Sequence, residues 1–174
     1  MKFVVDCMLG KLAKWLKILG FDVVYDHKAK DTELLNIARK QGRILLTRDV
    51  RLLEGAKDIH GLFINSEKWQ EQVDQVLERL NLRPHARPYS RCIQCNVELK
   101  NLPKAKARNL VAPFVFEHAA SFAVCPECGR VFWQGTHFED MESKMGNILG
   151  TQKGRRKKGG NDRLPKPAKK RINK

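Results

Sequence analysis

The apolar positions in the first half of the chain switch between two rhythms. Phe3, Val4 and Val5 run together without alternation and end on Asp6, which is how a strand covered on both faces reads. Leu9, Leu12, Ala13, Leu16 and Leu19 then share one helical face, and Gly20 stands where a left-handed residue closes a helix. Phe21 to Tyr25 predicts a second strand, and Lys28 to Lys30 a polar loop. A helix from Asp31 to Lys40 carries Leu34, Leu35, Ile37 and Ala38 and ends at Gly42. Arg43 to Leu46 is a third unalternating run, leading into Thr47-Arg48-Asp49. Leu52 and Leu53 mark a short helical piece closed by Gly55, and Gly61 to Ile64 a fourth strand. Ser66 is placed to cap a helix whose stripe is Trp69, Val73, Val76, Leu77 and Leu80. Strands alternating with helices predict an α/β domain over residues 1–83, a parallel sheet flanked by helices.

Pro84 and Pro88 bracket a linker, 84–88. Beyond it, residues 89–140 show short strand-like runs, turns and paired cysteines, the texture of a small separate module. Residues 141–174 form a C-terminal extension. Its last part, 151–174, is low in complexity and basic, with Gly159-Gly160, Pro165 and Pro167 excluding regular structure, so a disordered tail is expected. There is no internal repeat. Neither a G-x-G-x-x-G nor a Walker A loop occurs, so no nucleotide cofactor is expected.

Charge sharpens this division. The net charge of +15 is spread unevenly. Residues 1–83 hold 15 basic and 12 acidic side chains, residues 84–152 hold 8 and 6, and residues 153–174 hold 11 and 1. The basic character therefore belongs mainly to the tail, a block suited to polyanions. The first apolar run is cut by Asp6, Lys11, Lys14 and Lys17, with no small-residue cleavage site after it, so no secretory signal is apparent. The longest uncharged apolar-rich stretches, Leu110–Phe116 and Ala119–Cys125, fall far short of the ~20 residues that span a bilayer. A soluble, cytoplasmic protein without membrane contact is expected. In that compartment five cysteines point to metal rather than disulfides.

Two groups of residues carry candidate chemistry. Asp6 and Asp49 each closely follow a buried strand, so a parallel sheet projects both from one edge, where open α/β sheets place their ligands. Asp31 opens the helix after the second strand and reaches that edge too. Three such carboxylates repel unless protonated or bridged by a cation, and Mg²⁺ or Mn²⁺ with a substrate phosphate is the usual partner. Each acid also has a plainer role: Asp31 and Asp49 suit helix caps, and Glu33 or Asp26 can substitute in the cluster. Lys11 and Lys14 on the first helix, and Arg48 beside Asp49, suit a phosphate backbone, or else a solvated face or ion pairs to the acids. In the tail, Arg155, Arg156, Lys157 and Lys158 suit the same ligand. Cys7 reads as a small buried hydrophobe.

The second group is Cys92-Ile93-Gln94-Cys95 and Cys125-Pro126-Glu127-Cys128-Gly129. In each knuckle a two-residue gap lets both sulfurs meet one ion, and Gly129 eases the turn. Four thiolates suit one tetrahedral Zn²⁺ in a closed site with no open position for catalysis, so this zinc is structural. Phe132, Trp133 and His137 follow the second knuckle; stacking on a base and covering the module's core are both open to them.

Asp6-x-x-Leu9-Gly10-Lys11-Leu12-Ala13-Lys14-Trp15-Leu16, Leu19-Gly20-Phe21-Asp22, Asp31-x-Glu33-Leu34 and Arg43-Ile44-Leu45-Leu46-Thr47-Arg48-Asp49 together resemble the Mut-seven-C RNase family. The likeness continues through Arg91-Cys92-x-x-Cys95-Asn96 and Cys125-x-x-Cys128-Gly129-Arg130-Val131-Phe132-Trp133-x-Gly135-x-His137, covering roughly residues 2–141. The resemblance implies a PIN-like nuclease domain carrying a zinc ribbon. Asp6, Asp31 and Asp49 would be the metal-binding acids of its active site; the fourth acid of many PIN domains is assigned no position here. The implied function is metal-dependent hydrolysis of RNA phosphodiesters. An aspartyl-phosphate phosphatase is disfavoured because Asp6-Cys7-Met8 lacks a second acid two residues on, and a receiver-like domain would lack the ribbon and tail. The rival is a non-catalytic RNA-binding or ribosome-associated module.

Overall fold

The computed structural model describes residues 1–135 and 138–150, the side chains of 138–140 excepted. His137, the basic residues Arg155, Arg156, Lys157 and Lys158, and the tail read as disordered lie outside the described residues. The first half of the chain folds as β1 (Lys2–Val5), α1 (Gly10–Ile18), β2 (Asp22–Tyr25), α2 (Asp31–Gln41), β3 (Ile44–Thr47), α3 (Val50–Glu54), β4 (Gly61–Phe63) and α4 (Trp69–Arg79). The four strands form one parallel sheet in the order β2-β1-β3-β4. The order reverses between β1 and β3, which makes the gap beyond their carboxyl ends the switch point of the sheet.

The unalternating strands are explained by two cores. Phe3, Val5, Val23, Leu46 and Ile64 pack under α1 and α4 with Leu12, Leu16, Val73 and Leu77. Val4 and Leu45 point the other way, into Leu34, Ala38 and Leu52 of α2 and α3. Adjacent residues of β1 therefore serve opposite helix layers, and Phe3, Val4 and Val5 are all fully buried. A further helix, α7 (Phe138–Leu149), adds Met145 and Ile148 to the first of these cores. Its Met141, Met145, Ile148 and Leu149 lie at helical spacing, a signal present in the sequence but not extended to a helix there. Ser66 does not cap α4: Lys68 precedes the helix, and Ser66 Oγ instead accepts from Lys68 N–H at 3.1 Å and donates to Glu71 at 2.6 Å. The serine shapes the turn, and the helix starts two residues later than its hydroxyl suggested.

After a 3₁₀ turn at Arg83–His85 the chain returns to α1, with Arg87 N–H donating to Leu19 O and Tyr89 N–H to Ile18 O. The cysteine module contains β5 (Lys100–Leu102), α5 (Lys104–Ala107), α6 (Pro113–His118), β6 (Phe122–Val124) and β7 (Val131–Trp133). Its strands pair antiparallel in the order β5-β6-β7. Among the described residues its buried apolar cluster is Ala107, Ala119 and Phe122, with Leu102, Val111, Val115, Phe116 and Val131 partly buried against it. Burying one phenylalanine contributes about 1.5–3 kcal/mol, while ordering each residue's backbone costs about 1–2 kcal/mol. Such a small core gives the module little margin.

Gly20 joins the two parts. Its φ of 89° lies in the left-handed region, and a Cβ there would collide with the Arg87 carbonyl and meet Ser90 Oγ at 2.6 Å. Gly20→Ala combines backbone strain of about 1–3 kcal/mol with displacement of the returning chain. It is expected to lower the thermal midpoint sharply, whereas Gly42→Ala, whose Cβ meets nothing within 4 Å, lowers it less. Equal losses in the two variants by calorimetry would contradict the close approach.

Candidate active site and metal centre

Asp6 leaves β1 at the switch point and is 5 % exposed. Its N–H donates to Leu46 O at 3.0 Å, so the residue is still held by β3. Thr47, fully buried at the end of β3, donates from Oγ1 to Asp6 Oδ2 at 2.6 Å. The same hydroxyl oxygen accepts from Asp49 N–H at 2.9 Å. One threonine thus links the two acids across the gap, and position alone did not point to it in the sequence. Asp49 also does what its plainer reading predicted: Oδ1 accepts from Arg51 N–H at 2.7 Å and Leu52 N–H at 3.1 Å, capping α3. Thr47 engages Oδ2 of Asp6 and the α3 cap engages Oδ1 of Asp49.

Asp31 is exposed and occupies the first turn of α2, after the cap residue Lys30. Its alternative role is taken by its neighbour, because Glu33 Oε2 accepts from Lys30 N–H at 3.0 Å. Asp26 is likewise committed locally, accepting from Lys28 N–H at 2.9 Å. Asp6 and Asp31 both act on Cys7. Its thiol is pushed up, chiefly by hydrogen bonding to Asp6, then by burial and the Asp6 charge, with Asp31 adding to the effect. Tyr25, which donates to Cys7 O at 3.0 Å, is raised by burial first and then by Cys7, Asp26 and Asp6. Cys7 is exposed, not buried as the sequence suggested, because it follows Asp6 into a 3₁₀ turn (Cys7–Leu9) that leaves the sheet. The three carboxylates are not drawn together as tightly as the cysteines. Among the described residues, the cysteine quartet is the one group of three or more Cys, His, Asp or Glu with ligand atoms all within 4.8 Å.

Lys11 and Lys14 stand exposed on α1. Between them and α4, Trp15 stacks on Trp69 with ring centroids 4.6 Å apart and planes 3° from parallel. Arg48, beside Asp49, pairs with Glu67 Oε1 at 3.2 Å. Phe132 is half-buried and Trp133 exposed on β7.

The knuckles are duplicates in hydrogen bonding. Cys92 N–H donates to Val97 O and Cys125 N–H to Arg130 O, each at 2.9 Å. Asn96 N–H returns to Cys92 O and Gly129 N–H to Cys125 O. Cys95 N–H points at Cys92 Sγ at 3.4 Å, and Cys128 N–H at Cys125 Sγ at 3.5 Å. Both loops need a left-handed residue after the second cysteine, supplied by Asn96 with φ 66° and Gly129 with φ 69°. Cys92 Sγ and Cys128 Sγ lie 3.8 Å apart, and a tetrahedron with Zn–S bonds of about 2.3 Å has edges near ~3.8 Å. The donor set and its dimensions fit one zinc. Crowded sulfurs cannot all ionise unaided. The Cys95 thiol is pushed up to about 12, chiefly by hydrogen bonding to Cys128. Cys125 falls to about 7: burial opposes ionisation, and the N–H groups of Cys128 and Glu127 outweigh it. An ion bound by all four displaces the remaining protons.

Fold and site define a two-part protein: a doubly wound α/β unit with an acid-lined carboxyl edge, joined to a module built round four cysteines. The chain belongs to the Mut7-C RNAse domain family, whose model matches residues 1–145. No curated protein matches the chain. No solved structure matches it either. No helix among the described residues is long and apolar enough to cross a membrane.

Purified, reduced protein is expected to carry about one zinc per chain by metal analysis. Cys125→Ser should release it and expose residues 89–135 to protease. Zinc-free wild-type protein with an intact module would overturn the metal centre.

Proposed function

We propose that this chain is a PIN-like, metal-dependent ribonuclease, and that Asp6, Asp31 and Asp49 are its active-site acids. The observation that carries this reading is the chain of hydrogen bonds from Asp49 N–H through Thr47 to Asp6 at the switch point of the sheet. It supports a site in which the Asp6 carboxylate and the backbone of Asp49, far apart in sequence, share one hydroxyl, in a member of an RNase domain family. Residues 1–83 are taken as the nuclease domain, 84–88 as linker and 89–140 as zinc ribbon. The extension 141–174 gives most of α7 to the nuclease core and the basic tail to RNA. A cytoplasmic setting belongs to the same reading.

The chain's own residues set up the chemistry as follows. Thr47 engages Asp6 at Oδ2 and the α3 cap engages Asp49 at Oδ1. The remaining oxygens of Asp6 and Asp49, with Asp31, would hold Mg²⁺ or Mn²⁺, the Cys7 thiol giving up its hydrogen bond to Asp6. Hard oxygen donors suit such ions, which take one or two carboxylates and complete their shell with water and phosphate. Bound there, such an ion would supply charge neutralisation at the phosphate and activation of a water. Lys11 and Lys14 lie on the helix that starts at this edge and would track the RNA backbone. Arg48 would do so after giving up Glu67.

Asparagine substitution separates this site from simple capping. Asp49→Asn keeps an equivalent cap, and Asp31→Asn disturbs no cap, so both should unfold near the wild-type temperature. Cleavage in Mn²⁺ should nonetheless fall by orders of magnitude in Asp6→Asn, Asp31→Asn and Asp49→Asn, with metal-free RNA affinity nearly unchanged. Wild-type cleavage with undiminished rates in all three would end the nuclease-site reading in favour of an RNA-binding module.

The tail has a separate expected role. Each phosphate contact steepens log K against log salt by about 0.7 for a single strand. Deleting residues 153–174 should flatten that slope and weaken binding, while cleavage at low salt and saturating RNA survives. Cleavage lost under those conditions would put the tail in the active machinery.

A further inference from the structure

β2 is the outermost strand of its sheet, and the first knuckle closes its free edge. Val23 N–H donates to Asn96 Oδ1 at 2.9 Å, and Asn96 Nδ2 donates to Asp22 Oδ1 at 2.8 Å. One amide side chain thus accepts from an edge N–H of β2 and donates to the carboxylate of the residue before it. The contact continues inward. Arg43, 8 % exposed, donates to Asp22 Oδ1 at 2.6 Å and to Phe3 O of β1 at 3.2 Å. Arg91 adds a second link, donating to Gly20 O just before β2 at 3.0 Å and to Asn96 O in the knuckle at 2.6 Å.

The second knuckle supplies an internal comparison. It repeats the same hydrogen bonds, but its left-handed position is Gly129, around which a Cβ would meet nothing within 4 Å. Holding the sulfurs therefore needs a left-handed residue and nothing more. The side chain of Asn96 is surplus to the metal geometry, and all its hydrogen bonds go to the other half of the molecule. We infer that Asn96 is a clasp through which zinc occupancy of the four-cysteine site holds the edge strand β2, so that metal loading and closure of the parallel sheet are one cooperative event. The cause is the position of Asn96, one residue after Cys95. A knuckle folded round its ion fixes the φ of 66° that aims the amide at Val23, and a knuckle released from the ion loses that aim. β2 then runs on to Tyr25, whose hydroxyl holds the Cys7 carbonyl beside Asp6. The inference needs zinc at the cysteines and does not depend on catalysis at the acids.

The test is amide hydrogen exchange at Val23 in the full chain, zinc-loaded and after removal of zinc by a chelator. In the wild type, chelation should accelerate exchange at Val23 along with the knuckles. Asn96→Gly preserves the left-handed backbone and deletes the amide. It should keep one zinc per chain by metal analysis, exchange at Val23 about tenfold faster with zinc bound, as loss of one hydrogen bond implies, and respond little to chelation. Cys125→Ser provides a second route, because it removes metal from the knuckle that has no Asn96 counterpart, and Val23 should again speed up. The clasp is overturned if chelation leaves Val23 protected in the wild type, or if zinc-loaded Asn96→Gly exchanges there at the wild-type rate. If Asn96→Gly fails to load zinc, the chelation and Cys125→Ser arms still decide.

Discussion

The enclosure of β1 constrains the rest of this structure. It lies between β2 and β3 within the sheet and between two helix layers above and below it, with Phe3, Val4 and Val5 fully buried. No polar group can be relieved along its length, so every polar demand falls at its ends. A buried, unpaired carboxylate costs several kcal/mol, and Asp6 at the carboxyl end is nearly as buried as the strand itself. The hydroxyl of Thr47 meets that demand and passes the constraint to Asp49. At the opposite end the Phe3 carbonyl is met by Arg43, which needs Asp22 to balance its own charge. Burial opposes ionisation of Asp22, yet Arg43 and Asn96 together hold its carboxyl below the ordinary range.

The two ends have drawn in different partners. The carboxyl end gathers acids, and the raised thiol of Cys7 and phenol of Tyr25 register that concentration of negative charge. The amino end gathers cations and the first zinc knuckle. Lys17 on α1 shows the contrast: burial lowers its pKa, while Cys92 and Cys95 draw it back up, and Nζ lies 3.5 Å from Ile93 O. An exposed strand edge invites unwanted pairing. Here the side of β2 that faces no strand is covered by a loop whose shape depends on four sulfurs. The small module and the large one therefore each lend something the other lacks. One supplies an edge cover; the other supplies, through Ile18, Leu19 and Gly20, the backbone that anchors the returning chain.

Much of this was legible in the chain because burial on two faces leaves a simple trace. Phe3-Val4-Val5 and Ile44-Leu45-Leu46 could be read as strands without knowing which residue faces which layer. Their parallel pairing then put Asp6 and Asp49 at one edge. The cysteine spacing carried the metal quartet outright. What could not be read depended on atoms rather than pattern. Thr47 looks like any β-branched residue in a strand, and its linking role exists only once β1 and β3 lie side by side. Whether Asp31 or Glu33 serves the start of α2 turns on a shift of one residue in the helix boundary, finer than periodicity resolves. Cys7 was misjudged for the same reason, since the turn after Asp6 carries it outward. The stripe of α7 was present at Met141, Met145 and Ile148, but its destination lies across the intervening module, where local pattern gives no address.

Donor chemistry completes the division of labour. The cysteine quartet offers soft sulfur in a closed tetrahedral set, the preference of zinc. The proposed acidic edge offers oxygen only. Its one sulfur, Cys7, is kept a thiol by the very carboxylate beside it, and a thiol is a poor ligand where a thiolate would be a good one. The acids are spread more widely than the sulfurs, a spacing suited to an ion that retains waters and shares its shell with phosphate rather than one locked in by protein. A closed site holds a fold, and an open one admits a substrate. Joined through β2, the two metal chemistries proposed for this chain are kept apart by hardness and by position, at opposite ends of one strand.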